Sequence, residues 1–181
     1  MIKKKKLNPS ETLLFIPHFP YNTKNKGGNK VLLGLGGNMG DVLRRFEHLY
    51  HYFKHSPFIH LCETSPVLRN PPFGYTKQDD FYNAVVLVET RLSPQALLRY
   101  LLRVEKHFGR KRSFQDAPRT LDIDILCYED ICMQTTDLTL PHLGWKNRRS
   151  VLVPLSYLSL RAKACLANRR KLKHLLTINT I

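Results

Sequence analysis

The stretch PRTLDIDILCYED, residues 118–130, carries the pattern that predicts the fold. From Leu121 to Ile125, apolar and acidic residues alternate with period two, which is typical of a β-strand with one face in a core. The apolar side chains then enter the core, and Asp122 and Asp124 share the opposite face. Two carboxylates that close raise a pKa unless a cation compensates them. The pattern therefore indicates either a cation-binding face or a solvent-facing side paired with nearby arginines.

Strand and helix periodicity before this stretch predicts further elements at residues 30–37, 38–55, 58–68, 80–92 and 93–109, in the order β-α-β-β-α. The second helix begins with a Ser93 cap and Pro94 in its first turn, and Gly109 ends it. With the acidic strand added, the order is βαββαβ. This order predicts an α+β, ferredoxin-like fold: an antiparallel sheet with helices on one face, plus C-terminal additions.

A length of 181 residues suits one domain with a proper core. We expect a basic N-terminal extension at 1–30, the domain at 31–160 and a basic C-terminal segment at 161–181. Residues 11–19 could add a strand or pack on the surface. Basic tails, added packing and a start site misplaced upstream of Val31 all stay open for the extension.

Lys and Arg number 29 against 14 Asp and Glu, so the net charge of +15 favours an anionic partner over a neutral one. A general basic bias of the source is the alternative. No apolar run approaches the ~20 residues that span a bilayer, and the run at 13–16 is shorter than the roughly 7 residues of a signal peptide's apolar region. The cysteines form no CxxC pair and have no zinc spacing, which predicts reduced thiols in a cytoplasmic protein without a membrane partner.

The glycine-rich stretch GLGGNMGD, residues 34–41, lies between a predicted strand and a predicted helix. It is neither a GxGxxG dinucleotide motif nor a Walker A loop, since no Lys-Ser/Thr pair follows it. We interpret it as a tight turn that needs positive φ. Ligand contact from the loop is the alternative.

Cationic residues flank the acidic strand on both sides, namely Arg110, Lys111, Arg112, Arg119, His142, Lys146, Arg148 and Arg149. Guanidinium groups bind phosphate oxygens bidentately, and Mg²⁺ prefers a few carboxylates together with substrate oxygens. The combination is typical of nucleotide phosphoryl chemistry. Solvated charges are the alternative for each arginine.

Aromatic residues Phe73 and Phe81 lie close in sequence to Asn83. A flat heterocycle could stack on such a ring while the amide, which has both a donor and an acceptor, reads its edge. Plain core packing is the alternative for either phenylalanine.

Seven motifs together resemble the 6-hydroxymethyl-7,8-dihydropterin pyrophosphokinase family: LGLGGNMGD, NPPFGYTKQDDFYNAVVLVET, LSPQALL, VEKHFGRKR, PRTLDIDIL, LTLPH and KNRRSVLVPL. The match runs from about Val31 to Leu155. The resemblance implies a ferredoxin-like monomer, with ATP as co-substrate and no nucleic-acid partner. It also implies transfer of the terminal diphosphate of ATP to the pterin hydroxymethyl group, with release of AMP, in folate synthesis.

The resemblance also implies roles for individual residues, with two Mg²⁺ ions held by Asp122 and Asp124. The implied catalytic residues are Arg110, Arg119, Asp122 and Asp124. The implied ATP contacts are Glu105, Arg110, Thr139, His142, Lys146 and Arg148. The implied pterin contacts are Pro71, Phe73, Phe81 and Asn83. Loops 69–78 and 109–117 are expected to close over the substrates.

The chain departs from the family pattern at several positions. Ser150 replaces the phenylalanine that supplies the second stacking ring, and the tryptophan expected before "PR" is absent, with Phe114 slightly earlier. Stacking is then one-sided, or Trp145 replaces the ring, so we predict weaker pterin binding. Leu102 replaces a common glutamine near the nucleotide, and Asn70 replaces a threonine.

Two other functions are compatible with parts of the sequence. A ferredoxin-like RNA-binding module would explain the charge, but the chain lacks the RNP1 pattern, and its sheet face would carry two aspartates that repel phosphate. A scaffold with a decayed active site would explain the missing rings.

Overall fold

The computed structural model describes residues 2–24, 26–111 and 117–167. Arg112 and Phe114, most of the predicted loop 109–117, and the predicted C-terminal segment from residue 168 onward lie outside the described residues. All structural statements below concern the described part of the chain.

The described chain contains ten strands and four α-helices. The strands are β1 Lys3–Lys6, β2 Thr12–Phe15, β3 Tyr21–Asn22, β4 Asn29–Gly37, β5 Ile59–Thr64, β6 Val67–Asn70, β7 Phe81–Thr90, β8 Asp122–Tyr128, β9 Met133–Gln134 and β10 Thr139–Leu140. The helices are α1 Val42–Lys54, α2 Pro94–His107, α3 Arg149–Ser156 and α4 Leu160–Ala167, with a 3-10 turn at Trp145–Asn147.

One large sheet has the order β1-β2-β6-β7-β4-β8, and β5 pairs with both β7 and β3. Every pairing is antiparallel. Strands β9 and β10 form a small separate ribbon. The chain therefore has a mixed α/β structure built on an antiparallel sheet, as the element order predicted.

The predicted single strand at 58–68 is two strands, β5 and β6, because Ser65 and Pro66 interrupt it. Proline has no N–H with which to continue a ladder. Ser65 is fully buried; its N–H donates to the Val85 carbonyl at 2.9 Å, and its Oγ accepts from the Val85 N–H at 2.9 Å. The break lets β5 and β6 pair with different parts of β7.

Helices α1 and α2 cover one face of the sheet. Asp41 caps α1 through a 3.0 Å hydrogen bond from the Arg44 N–H, and Ser93 caps α2 as predicted. Their apolar faces pack on β4 and β8, where Ile123 and Ile125 are buried in the same core. The predicted alternation along β8 is therefore confirmed, since its isoleucines face the core.

Helices α3 and α4 cover the other face, so helices lie on both sides of the sheet. Their side chains form a second core with Leu32, Leu87 and Leu126. None of the described helices is long and apolar enough to cross a bilayer.

The prediction of four reduced thiols is wrong for Cys127 and Cys165, which form a disulfide between β8 and α4. The packing of α4 on the sheet brings their Cα atoms to 6.3 Å, within the range that a disulfide spans. The two cysteines are separated by 38 positions in the sequence, so no short motif marks the pair. Cys62 and Cys132 are free thiols.

Residues 2–24 are part of the main sheet. Strand β2 pairs with β6, and β3 pairs with β5. Leu13, Leu14 and Phe19 are buried, so the expectation that residues 11–19 could add a strand is confirmed. The division of the chain at residues 30 and 160 stays a prediction.

Candidate active site

The sheet register aligns three polar features across neighbouring strands. Gly36 of β4 lies opposite Asn83 of β7 on one side and opposite Asp122 of β8 on the other. A Cβ at Gly36 would lie 3.2 Å from Asn83 Oδ1 and 3.8 Å from Asp122 Cβ. A side chain at Gly36 would therefore crowd the Asn83 amide, and the glycine lets Asn83 and Asp122 approach the same position on the sheet.

Two arginines hold Asp122. Arg119 Nε lies 2.9 Å from Asp122 Oδ2, and Arg110 Nη1 donates to Asp122 Oδ1. Arg110 Nη1 also lies 2.5 Å from Glu105 Oε1. The two arginines to which the family resemblance assigned a catalytic role therefore both contact one of the two predicted metal ligands.

Glu105 lies beneath Arg110 and is only 3% exposed. Its Oε1 also accepts a hydrogen bond from the backbone N–H of Ile123 at 2.7 Å. Burial raises the pKa of this carboxyl, although the Ile123 N–H and the Arg110 charge act in the opposite direction. Glu105 thus fixes Arg110 against the strand that carries both aspartates.

Asp124 lies two residues further along β8 and is partly buried. Burial, followed by the charge of Asp122, raises its pKa, while His142, Arg148 and Arg119 act to lower it. The rise that the sequence predicted for closely spaced carboxylates is therefore found at Asp124, with burial as its largest cause. The lowering effects of these three residues do not outweigh burial and the charge of Asp122, so the pKa of Asp124 stays above its ordinary value.

Asn38 holds the backbone of Arg119, and the Phe81 ring contacts its guanidinium. Its N–H donates to Asn38 Oδ1 at 2.9 Å, and its carbonyl accepts from the Asn38 N–H at 3.0 Å. Its guanidinium lies 5.2 Å from the centre of the Phe81 ring. A residue assigned to phosphate binding therefore contacts a residue assigned to the pterin.

Asn38 was not selected from the sequence, yet it joins three segments of the site. It is 5% exposed, and its Nδ2 donates to Gln78 Oε1 at 2.9 Å and to the Asp79 carbonyl at 3.1 Å, while its other contacts hold Arg119. The available signal was an amide directly after a buried strand that ends in glycines. Asn38 ties the loop before β7 to the loop before β8.

The prediction of positive φ in the glycine-rich stretch is right for Gly40, at +66°, and wrong for Gly34, Gly36 and Gly37. Gly37 is required for close packing instead. A Cβ there would lie 2.6 Å from the Thr120 carbonyl oxygen, so any side chain would displace the loop that leads to Asp122.

The residues assigned to the pterin fall into two groups. Phe81 is buried and Asn83 is half-buried beside Asp122, and Asn83 Nδ2 donates to Asn70 Oδ1 at 2.8 Å. Pro71 and Phe73 lie on an exposed loop, and Phe73 is 90% exposed. The structure brings the first group to the acidic strand and leaves the second at the surface.

The segment from β10 to α3 carries the other residues assigned to ATP. Its members Thr139, His142, Lys146 and Arg148 are half-buried or exposed. The charges of His142 and Arg148 act on Asp124, whereas the Lys146 ammonium lies 5.8 Å from the centre of the Trp145 ring. Among the described residues, His142 Nδ1 is buried without a hydrogen-bond partner.

Trp145 packs against the core under α3 and α4. Of the two expectations for the missing ring, this arrangement favours one-sided stacking. Ser150 is half-buried in the first turn of α3.

Comparison with known proteins decides the family of this chain. Residues 32–160 match the sequence model of the 7,8-dihydro-6-hydroxymethylpterin-pyrophosphokinase (HPPK) family. The chain belongs to the HPPK family.

Curated relatives agree with this assignment. The chain is similar to the 2-amino-4-hydroxy-6-hydroxymethyldihydropteridine pyrophosphokinase of Helicobacter pylori, with 46% identity over 130 residues, 71% of this chain and 80% of the relative. The Campylobacter jejuni protein of the same name is 40% identical over 139 residues, 76% of this chain and 88% of the relative. The Methylorubrum extorquens protein is 39% identical over 127 residues, 70% and 80% of the two chains.

The family resemblance implied Mg²⁺ at the acidic pair, so the chemistry of these two residues has to suit that ion. The described residues contain no group of three or more His, Cys, Asp or Glu placed to hold a metal ion on their own. Mg²⁺ ordinarily takes one or two carboxylates and completes its shell with water and substrate phosphates. Asp122 and Asp124 fit that requirement, because they place two carboxylates on one strand and a bound cation would stabilise the ionised form of Asp124, whose pKa is raised.

Proposed function

We propose that Asp122, Asp124 and the cations around them carry out the reaction of the HPPK family in this chain. The enzyme transfers diphosphate from ATP to the hydroxymethyl group of 6-hydroxymethyl-7,8-dihydropterin, and the pterin diphosphate serves folate biosynthesis. The observation that carries the site assignment is the contact of Arg110 and Arg119 with Asp122, next to the row that joins Asp122, Gly36 and Asn83.

Asp122 and Asp124 are the proposed holders of two Mg²⁺ ions. Bound Mg²⁺ supplies Lewis-acid stabilisation for the triphosphate charge and orients its phosphates. The protein contributes a partly buried carboxylate, Asp124, whose ionised form is stabilised by an added cation.

Arg110 and Arg119 are the proposed phosphate ligands. Each presents planar donors that match phosphate oxygens, and both lie where negative charge develops during transfer. Glu105 orients Arg110 from below, and the Phe81 ring and Asn38 orient Arg119. His142 and Arg148 add positive charge beside Asp124, and Thr139 and Lys146 complete the proposed ATP contacts.

Phe81 and Asn83 are the proposed pterin contacts, with the ring stacking on the heterocycle and the amide reading its edge. Pro71 and Phe73 join them when loop 69–78 closes, and loop 109–117 closes from the other side. The pterin hydroxyl then attacks the β-phosphorus in line with the departing AMP. Substrate positioning and stabilisation of the developing charge account for the rate enhancement, so a strong general base is not required.

We infer a ferredoxin-like core from β4, α1, β5, β7, α2 and β8, supported by the antiparallel order β8-β4-β7-β5. A monomer in the cytoplasm, with an extension at 1–30, the catalytic domain at 31–160 and a basic segment at 161–181, completes the proposal.

Calorimetry with a non-hydrolysable ATP analogue, Mg²⁺ and 6-hydroxymethylpterin tests the proposed function. We expect the nucleotide to bind only with Mg²⁺, and the pterin to bind more tightly once the nucleotide is present, since both substrates share Arg119 and Asp122. Nucleotide binding without any pterin binding, or binding of neither ligand, would support a decayed scaffold. A salt-sensitive RNA complex without nucleotide binding would support the RNA-binding alternative.

Replacing Ser150 by phenylalanine tests the expectation of one-sided stacking. A second ring adds about 0.5–1.5 kcal/mol beyond buried area, so the pterin Kd should fall roughly 2–13-fold. Ser150→Leu is the matched control, because it adds apolar area without an aromatic face. Equal Kd values for the phenylalanine and leucine variants would contradict a stacking role at this position.

A further inference from the structure

The N-terminal segment reaches the proposed phosphate site through one ion pair. Glu11 is only 6% exposed, and its two carboxylate oxygens accept hydrogen bonds from Arg149 Nε at 2.9 Å and Arg149 Nη2 at 2.6 Å. This paired geometry gives the strongest and most directional carboxylate–guanidinium contact. Arg149 is the first residue of α3 and directly follows Arg148. Glu11 lies outside residues 32–160, which match the family.

The Glu11 carboxylate is fixed before it meets the arginine. Asn8 Nδ2 donates to Glu11 Oε2 at 2.7 Å, and Asn8 Oδ1 accepts from the Glu11 N–H at 2.8 Å. The Leu7 N–H donates to the Glu11 carbonyl at 3.0 Å, which closes the turn between β1 and β2. The hydrogen bond from Arg149 lowers the pKa of Glu11, so the carboxylate is charged at neutral pH.

A second contact aligns the same hairpin with α3. Phe15, at the end of β2, makes an edge-to-face contact with Tyr157, directly after α3, at 6.4 Å between ring centres. From Glu11 to Phe15 a strand advances about 13 Å, and from Arg149 to Tyr157 a helix advances about 12 Å. The matched lengths mean that residues 11–15 contact α3 at its N-terminus and directly after its C-terminus.

Arg148 depends on the position of this helix. It is the N-cap residue of α3, and its carbonyl accepts from the N–H groups of Val151 and Leu152, each at 2.9 Å. Its charge acts on Asp124. Among the described residues, no side chain caps α3, so the Glu11–Arg149 pair is the side-chain attachment at its N-terminus.

An ordinary surface ion pair is an alternative interpretation, because Arg149 is 64% exposed and exposed pairs contribute little. Three observations favour more than that: the bidentate geometry, the burial of Glu11 and the second anchor at Phe15. We propose that Glu11 is a positioning residue for ATP, which holds Arg149 and thereby sets the direction in which Arg148 extends toward the phosphates. The inference rests on the phosphate role proposed for Arg148.

Steady-state kinetics of Glu11→Gln, in the full chain with Mg²⁺, tests the proposal. We expect the KM for ATP to rise roughly tenfold, as expected for a misplaced binding group. The kcat and the KM for the pterin should stay within about twofold, because Asp122, Phe81 and Asn83 are not displaced. Arg149→Gln, which changes an exposed side chain, should also raise the KM for ATP while leaving kcat and the KM for the pterin nearly unchanged. The double variant should be no worse than either single variant, since both remove one interaction.

Glu89→Gln is the matched control. Glu89 is also a buried carboxylate that holds the N-terminal segment, accepting from the N–H groups of Lys26 at 2.8 Å and Gly27 at 3.0 Å, but it lies near the other end of β7 from Asn83. This variant should change the melting temperature without changing the KM for ATP.

An unchanged KM for ATP in folded Glu11→Gln and Arg149→Gln, with an active parent enzyme, would overturn the positioning role and leave the proposed function standing. An equal rise in the ATP KM of Glu89→Gln would also overturn it, because general loosening of the segment would then be the cause. A parent enzyme without diphosphate transfer would instead reject the proposed function itself.

Discussion

Asp124→Asn is expected to lower kcat for diphosphate transfer by roughly 10³-fold, since several kcal/mol of charge stabilisation depend on the carboxylate and each 1.36 kcal/mol is a factor of ten. The same change should raise the melting temperature of the ligand-free protein by a few degrees. Burial and the charge of Asp122 raise the pKa of Asp124, so folding keeps an ionised carboxylate in an unfavourable place. Asparagine has nearly the same shape without the charge.

The pH dependence follows from the direction of the shift. The folded protein holds the Asp124 proton to higher pH than the unfolded chain does, so the folded state binds more protons between the two pKa values. The contribution of Asp124 to the free energy of unfolding is therefore most favourable below its pKa in the unfolded chain, and it is lost as pH rises through its pKa in the folded protein. As pH rises through this range, the melting temperature of Asp124→Asn should therefore lack the decrease that Asp124 causes in the parent protein.

Asp122→Asn is the matched comparison, because it removes the neighbouring carboxylate on the same strand face. It should also abolish transfer, but it should lower the melting temperature, since Arg110 and Arg119 lose their shared partner. Rapid-quench assays and scanning calorimetry of both variants measure the two effects. Diphosphate transfer near the parent rate in either variant would contradict the proposed metal site.

Arg119→Lys is expected to reduce kcat/KM for ATP by roughly 10²-fold, the usual effect of removing one group that stabilises developing charge. Lysine keeps the charge but loses the planar donors and the stacking surface. In Arg119, Nε lies 2.9 Å from Asp122 Oδ2 and the guanidinium carbon lies 5.2 Å from the centre of the Phe81 ring. We therefore expect the KM for the pterin to rise as well.

Arg110→Lys should behave differently, since Arg110 bridges Glu105 and Asp122, whereas among the described residues the cation–π contact with Phe81 is made by Arg119. It should lower kcat without changing the KM for the pterin. Arg103→Lys on the exposed surface of α2 is the control and should match the parent. Identical effects on pterin KM for the Arg110 and Arg119 variants would contradict the separation of their roles.

Local pattern was sufficient for several features of this protein. The alternation around Asp122 and Asp124 predicted a strand with its isoleucines in the core, and the Ser93 cap with Pro94 marked the start of α2. The motifs between residues 31 and 155 indicated the family, which the comparisons confirmed over residues 32–160. Strand period, helix caps and short motifs are encoded within about ten residues, so they can be read without knowing what packs against them.

Tertiary structure decided which distant residues meet. Glu105 lies under Arg110 and β8, Asn38 contacts both Gln78 and Arg119, and Cys127 meets Cys165. Glu11 and Arg149 are 138 residues apart in sequence and are joined by two hydrogen bonds. The residue periodicity of a helix or strand shows which of its faces is apolar, but it does not show which other element packs against that face. Partner choice comes from the register of the whole sheet and from how the helices on its two faces close over it.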